Sequence, residues 1–186
     1  EVTAPDLCPR YTGKYIAGVK VGPSPEWLVR KLKAVGLNSI NNIVDITNFV
    51  MMELGQPMHA FDAKSIEGGV VRVGRAQNAE KFTTLDGSEL SLTNDHLLIQ
   101  DEKKGLCVAG VIGGKNSGVT ENTTDVFLES AYFLPMSVRK TSRSLRVETD
   151  SAYRFSRGVD PSGSKRALLR ATELILQWAG GEALKG

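Results

Sequence analysis

Apolar residues near the start of the chain recur every three or four positions, which is the spacing of an amphipathic helix. A first helix is predicted after the N-cap residue Ser24, with Pro25 at its first position, and it stops at Gly36. A second helix is predicted over about Asn42–Leu54, because Gly55 is a suitable C-cap. The first is interpreted as a helix that packs against a core.

Strands are predicted before these helices and through the middle of the chain, where Val71 and Val73 alternate with Arg72 and Gly74. Asp86-Gly87 is a turn signal that joins one pair of strands as a hairpin, and the polar stretch Asp101–Gly105 joins another. The predicted strands lie at Tyr15–Val21, around Val71 and Val73, and at Phe82–Leu85, Leu90–Leu92, Leu97–Gln100, Leu106–Ala109 and Val126–Ser130.

Helical character returns after Pro135, and a final helix is predicted from about Gly163 to Ala179. The triplet Asp160-Pro161-Ser162 is a suitable cap for it. Helices therefore bracket a strand-rich middle, an order that fits an α+β fold better than a doubly wound sheet. We expect a single compact α+β domain with mixed, mainly antiparallel sheets and flanking helices.

The composition narrows the class of protein. A chain of 186 residues with 41% hydrophobic content can bury one sizeable core. The net charge of +2 is too small to hold duplex nucleic acid by charge alone. The two cysteines, Cys8 and Cys107, form no CxxC pair, and no stretch has the length of a membrane span or the pattern of a signal peptide. We expect a soluble, cytoplasmic protein.

Common catalytic and cofactor motifs do not fit the sequence. The glycine run before Lys115 departs from a phosphate loop at Ala109 and Asn116, so we interpret it as a turn or a close backbone approach. His59 and His96, with the two cysteines, match no zinc spacing, and no G-x-S-x-G elbow is present. The sequence predicts neither a metal site nor a covalent nucleophile.

Four polar residues stand in apolar company and are candidates for a pocket. Thr47 and Asn48 interrupt the apolar face of the second helix, His59 follows a turn, and Glu129 lies within a strand. Each could instead make a structural hydrogen bond, because buried polar groups must find partners. The segment Thr149–Pro161 is also rich in polar side chains, and its arginines could bind phosphates or form internal salt bridges.

Several strings in this order resemble one family. The long run that ends in GQPMHAFD, followed by TLDG, AGVIGG, VFLESAYF and TDSAYRFSRGVDP, is similar to the editing domain in the middle of the bacterial phenylalanyl-tRNA synthetase beta chain. The resemblance covers nearly the whole chain, and it implies that residues 1–186 are one editing domain excised from a longer chain. It implies a proofreading hydrolase within phenylalanine–tRNA ligase that removes tyrosine from misacylated tRNA(Phe).

The resemblance also implies roles for particular residues. Glu129 would accept a hydrogen bond from the tyrosine phenol, and His59 would border the ester and position water or the terminal ribose. Thr47 and Asn48 would hydrogen-bond water or substrate. The remaining implied pocket residues are Pro57, Gly113, Gly114, Thr149 and Ser151.

The mechanism implied by these residues is direct attack of an oriented water on the aminoacyl ester, with His59 as a general base in one version. No cofactor is expected in this domain, since ATP and magnesium would belong to the aminoacylation core of the full enzyme. The implied partners are the 3′ end of tRNA(Phe) carrying tyrosine and, through the full beta chain, the synthetase alpha chain; no membrane is expected. Two alternatives stay open: a noncatalytic module that binds an aromatic amino acid or a tRNA end or serves as scaffold, and a hydrolase for another aminoacyl-tRNA.

Overall fold

The computed structural model describes residues 1–185. Five α-helices and ten strands are present in this range, together with two short 3-10 helices at Ala63–Ser65 and Glu67–Gly69. In chain order the elements are β1 (Arg10–Ala17), α1 (Glu26–Ala34), α2 (Asn42–Leu54), β2 (Met58–Asp62), β3 (Arg72–Arg75), β4 (Glu80–Thr83), β5 (Glu89–Leu92), β6 (Leu97–Gln100), β7 (Gly105–Val108), β8 (Ile112–Gly113), β9 (Asp125–Tyr132), α3 (Pro135–Leu145), α4 (Asp150–Phe155), α5 (Gly163–Trp178) and β10 (Glu182–Ala183).

Residue contacts divide the chain into two compact units, each assembled from three separate segments. Unit 1 contains residues 1–11, 65–118 and 131–161. Unit 2 contains residues 12–64 and 119–130, together with residues from 162 onwards. The sequence patterns gave no sign of this division.

Unit 2 is built on a four-stranded sheet in the order β10-β1-β9-β2. Alternation along β2 sends Ala60 to one face of the sheet, where it joins Leu128 of β9 in a buried apolar cluster. Helices α1, α2 and α5 contribute to the same cluster through residues such as Leu28, Ile46 and Ala171. The side chains of β2 and β9 that point to the opposite face are therefore turned away from this helical layer.

Unit 1 contains a four-stranded sheet in the order β3-β6-β7-β8 and a separate hairpin of β4 and β5. The ladders between neighbouring strands are antiparallel, and Leu98 and Val108 face each other across β6 and β7. Phe133 and Phe155 pack edge to face with ring centroids 5.0 Å apart, and both rings are buried. This aromatic contact ties the end of α4 to the segment that leads into α3.

Most predicted elements are confirmed, and so is the α+β class with mainly antiparallel sheets and flanking helices. The second helix has the predicted bounds, and Gly55 caps it with a φ of 71°. The opening strand was placed wrongly, because Gly18 adopts a φ of 69° and ends the strand at Ala17. Ser24 was also wrong as an N-cap: Pro25 holds that position, and the Ser24 hydroxyl donates to Asp45 at 2.5 Å. No helix within residues 1–185 is long and apolar enough to cross a membrane.

Candidate functional site

His59 and Glu129 lie directly opposite each other in unit 2. They are paired residues in the antiparallel ladder between β2 and β9. Directly opposed residues place their side chains on the same face, with Cβ atoms about 4.5–5.5 Å apart. This is the face turned away from the helical layer, because the neighbouring residues Ala60 and Leu128 point into the apolar cluster. The sheet register therefore brings two of the candidate site residues together.

Aromatic rings flank this pair. The ring of Phe61 is fully buried and meets the His59 imidazole edge to face, with centroids 4.5 Å apart. Phe127 lies opposite Phe61 in the ladder, and their ring centroids are 6.3 Å apart. Gly13 of β1 leaves room for the Phe127 ring, since a Cβ there would overlap it. Glu129 and His59 thus lie beside the rings of Phe61 and Phe127, which we call the aromatic wall.

The two polar members of the pair are shielded from water. Glu129 exposes only 5% of its surface, and the Nε2 atom of His59 is buried. Within the described part of the chain, Nε2 has no hydrogen-bond partner. Burial lowers the pKa of His59 from 6.5 to about 4, because a charged imidazolium would lose its hydration. His59 is therefore neutral near pH 7, and its buried Nε2 atom makes no hydrogen bond to the described residues.

The other three candidates of unit 2 lie on or just after α2. Pro57 is buried in the short link between Gly55 and β2, two residues before His59. The Thr47 hydroxyl donates to the carbonyl of Val44 at 2.7 Å, which is a bond within the helix. Asn48 is half-buried on the same helix. The strand register does not itself place Thr47 or Asn48 beside His59.

In unit 1, the candidates Thr149 and Ser151 hydrogen-bond to the turn at Gly110-Val111, which we call the glycine turn. Thr149 is the N-cap of α4: its hydroxyl oxygen accepts from Ala152 N at 3.0 Å, and the hydroxyl donates to Val111 O at 2.8 Å. The Ser151 hydroxyl donates to the carbonyl of Gly110, the residue before Val111, at 3.1 Å. Two hydroxyls from one helix start thus fix two consecutive carbonyls.

The turn leads directly into the other two candidates of unit 1. Gly113 ends β8 and pairs with Cys107 of β7. Gly114 donates its N–H to Leu106 O at 2.8 Å, and a Cβ on Gly114 would stand 2.8 Å from that same oxygen. The glycine is required by this close approach of two backbones, in agreement with the turn interpretation of the sequence.

A groove in unit 1 joins part of the polar segment Thr149–Pro161 to Arg139 and Arg143 of α3, which the sequence did not single out as binding residues. It lies between α3 and α4, has a volume of about 870 Å³, and includes Tyr153 and the candidate Thr149 in its wall. We call it the arginine groove, after its residues Arg139, Arg143 and Arg157; Glu148 and Asp150 also line it. Helical spacing on α3 was the available signal, because residues four apart share a face and Arg139 and Arg143 are so spaced.

The candidate residues therefore fall into two groups, one in each unit. Unit 2 brings His59 and Glu129 side by side, with Pro57 close in sequence, and holds Thr47 and Asn48 on α2. Unit 1 joins the helix start at Thr149 and Ser151 to the turn that precedes Gly113. Phe61 and Phe127 were missed, although the alternation in MHAFD and VFLES places each on the same face as a candidate.

Comparison with known proteins gives consistent matches. A family model described as the B3/4 domain matches residues 7–180, a run that includes segments of both units. The phenylalanine–tRNA ligase beta subunit of Bdellovibrio bacteriovorus is 63% identical over 98% of this chain and 22% of its own length. The corresponding subunit of Geobacter metallireducens is 53% identical over 97% of the chain and 23% of its own length. The chain thus spans less than a quarter of these relatives.

A solved structure supports the fold. An N-terminal fragment of the phenylalanyl-tRNA synthetase beta subunit from Pyrococcus horikoshii aligns with a TM-score of 0.63, covering 98% of this chain and 49% of that one. The two sequences share 15% identity, so the similarity concerns the arrangement of the backbone.

Proposed function

The chain belongs to the B3/4 domain family, and on that premise we propose that it is the proofreading domain of a phenylalanine–tRNA ligase beta subunit. The resemblance drawn from its motifs is confirmed by the matches to such subunits along nearly the whole chain. In this proposal the domain hydrolyses the ester of tyrosine wrongly attached to tRNA(Phe). Formation of aminoacyl-tRNA belongs to other parts of the ligase.

The pairing of His59 with Glu129 beside an aromatic wall carries the proposal. Tyrosine differs from phenylalanine by one hydroxyl, and an apolar pocket alone rejects an added hydroxyl only about a hundredfold. A buried carboxylate selects for that hydroxyl, because it accepts a hydrogen bond that phenylalanine cannot offer. Phe61 and Phe127 suit the ring of the same substrate, since aromatic rings favour edge and offset contacts.

His59 serves in this proposal to hold the attacking water. An imidazole with a pKa of about 4 is neutral at physiological pH and accepts a hydrogen bond, but it is a weak base. We therefore favour positioning of water by His59 over full proton abstraction. The aminoacyl ester is an activated ester, so orientation and hydrogen bonds supply much of the necessary rate.

The test is release of labelled tyrosine from tyrosyl-tRNA(Phe) by the complete ligase that contains this chain. We expect release well above the spontaneous rate and little release of phenylalanine from the correct product. The variant Glu129→Gln should lower kcat/KM for tyrosine release by about 10- to 150-fold, the range for a lost hydrogen bond to a charged group. Glu121→Gln is the matched control, because Glu121 is an exposed acid in the same unit. Unchanged release by Glu129→Gln would remove Glu129 from the proposed role.

One observation favours the noncatalytic candidate, a module that binds an aromatic amino acid or a tRNA end. Three of the candidate hydroxyls, those of Thr47, Thr149 and Ser151, donate to backbone carbonyls and therefore have structural partners already. If the parent ligase binds tyrosine or tyrosyl-tRNA(Phe) and releases none above the spontaneous rate, the binding module replaces the hydrolase.

A further inference from the structure

We propose that the arginine groove between α3 and α4 binds single-stranded RNA, with guanidinium groups on phosphates and the Tyr153 ring under a base. The proposal rests on the proposed function only for the source of the strand, which would be the 3′ region of a tRNA. Its chemical content, a phosphodiester with an adjacent nucleobase, comes from the groove itself.

The segment that forms the groove carries the positive excess of the chain, and the groove lining itself has three arginines against the two carboxylates Glu148 and Asp150. Residues 135–161 contain six basic and three acidic side chains, whereas the rest of the sequence contains 17 basic and 18 acidic ones. The modest net charge of +2 therefore conceals one basic segment in a chain that is otherwise nearly balanced. A clustered basic surface attracts the phosphates of a nucleic acid even when the whole protein is close to neutral.

The guanidinium groups of the groove remain largely available. The sequence allowed internal salt bridges as an alternative, and Arg154 does pair with Asp150 at 2.7 Å. Arg139, Arg143 and Arg157 form no ion pair within residues 1–185, and all three are exposed. Arg139 donates to Ser156 O at 2.9 Å, which leaves further N–H groups of its guanidinium free. Guanidinium groups without a carboxylate partner are suited to bidentate contacts with phosphate.

An exposed aromatic ring provides the second half of the site. Tyr153 exposes 57% of its surface and lines the groove. The guanidinium carbon of Arg157 lies 3.5 Å from the centre of the Tyr153 ring, and Arg157 also donates to Tyr153 O at 3.1 Å. The ring is thus held in place on one side by a cation. Aromatic rings bordered by arginines are the platforms on which proteins stack single-stranded bases.

These features favour RNA over an acidic protein segment. The carboxylates of an acidic protein could also pair with the arginines. They would not stack on the exposed Tyr153 ring, whereas a nucleobase would. The groove is also joined to the glycine turn of unit 1, because Thr149 lines the groove and donates to Val111 O. An RNA strand in the groove would therefore lie next to the turn that leads into Gly113 and Gly114.

The experiment uses the full-length protein that contains this chain and a fluorescent 12-nucleotide RNA that ends in CCA and carries one 4-thiouridine. Affinity is measured by anisotropy at several salt concentrations, and photo-crosslinked peptides are mapped by mass spectrometry. The variants are Arg143→Gln, the double variant Arg139→Gln/Arg143→Gln, Tyr153→Ala and Tyr153→Phe. The matched control is Arg30→Gln/Lys33→Gln, which removes two exposed charges from α1.

We expect crosslinks within residues 135–157, and these should be lost in the double arginine variant. Each phosphate contact removed should lower the slope of log affinity against log salt by about 0.7. Tyr153→Ala should weaken binding by about 5- to 150-fold without changing that slope, and Tyr153→Phe should bind like the parent. The control variant should keep the crosslinks in place.

Other results would overturn the inference. Crosslinks that lie only outside residues 135–157, or a slope and affinity unchanged in both arginine variants, remove RNA from the groove. Displacement of the RNA by polyglutamate but not by unlabelled RNA assigns the groove to an acidic protein instead. Failure of the proposed hydrolysis is a separate result, because RNA without an amino acid is the probe here and Glu129→Gln should bind it normally.

Discussion

The two groups of candidate residues differ in how their polar atoms are used. In unit 1, Thr149 and Ser151 donate their hydroxyl protons to the carbonyls of Val111 and Gly110. In unit 2, the Nε2 atom of His59 is buried without a partner among the described residues. A bonded hydroxyl stabilises the shape of a backbone, whereas a buried nitrogen without a partner costs stability. The candidate residues thus include both side chains that hold the backbone in shape and one, His59, with a ring nitrogen that bonds to nothing among the described residues.

The largest loss of stability should come from a substitution in the glycine turn of unit 1. Gly110 has a φ of 69°, and a Cβ there would stand 2.9 Å from Phe133 and 3.0 Å from Phe155. Gly110→Ala should lower the free energy of unfolding of unit 1 by about 2–5 kcal/mol, through left-handed strain and overpacking. Amide hydrogen exchange in β6 and β7 measures it.

Gly118→Ala is the matched control in the same unit, because no heavy atom lies within 4 Å of the added Cβ. It should change the free energy by less than about 0.5 kcal/mol. Equal losses in both variants would show that the shape of the 110–111 turn does not depend on Gly110.

A smaller effect should follow from acidification, and it should come from unit 2. The pKa of His59 is about 4 when folded, below its ordinary 6.5, so the unfolded chain binds more protons between these values. The contribution of neutral His59 to the free energy of unfolding is therefore fully present above pH 6.5, and it is lost as the pH falls towards 4. The loss between about pH 7 and about pH 5 should be about 2 kcal/mol.

Urea unfolding followed by tryptophan fluorescence measures this loss, because both tryptophans, Trp27 and Trp178, belong to unit 2. His59→Leu should remove the loss and unfold no more easily than the parent at neutral pH. His96→Gln tests the other histidine, whose pKa is also lowered by burial, and it should leave the unit 2 loss in place. A parent-like pH dependence in His59→Leu contradicts the assignment.

The smallest effect should come from removing a single hydroxyl in unit 1. Thr149→Val should lower the free energy of unfolding by about 1–2 kcal/mol, because both the cap of α4 and the bond to Val111 O are lost. Thr149→Ser keeps a hydroxyl at this position and should unfold close to the parent. The same exchange experiment on β6 and β7 checks both. If the two variants are equally destabilised, the methyl group of Thr149 matters more than its hydroxyl.

Local structure was predictable where a short stretch of sequence determines it. The bounds of α2 follow from its apolar period and from Gly55, and the hairpin that pairs Leu98 with Val108 follows from two short apolar runs around a polar turn. The short helix α4 was not predicted, because its six residues are too few to display a period.

The candidate site was less accessible, because its geometry depends on pairing between distant segments. The strand β2 was not predicted, and only its ladder with β9 sets His59 opposite Glu129. A shift of one residue in that register would have turned the histidine towards the helical layer. The groove of α3 and α4 was equally hidden, since the sequence could not decide which arginines were paired.

The three-segment construction of each unit has a consequence for dissection of the gene. Along the sequence, the chain passes from one unit to the other five times. No single proteolytic nick or truncation can therefore release either unit as a continuous polypeptide. A minimal version of unit 2 would have to splice residues 12–64, 119–130 and the segment from 162 onwards through two artificial linkers. The two units are consequently interleaved along one polypeptide, and each is best tested within the whole chain.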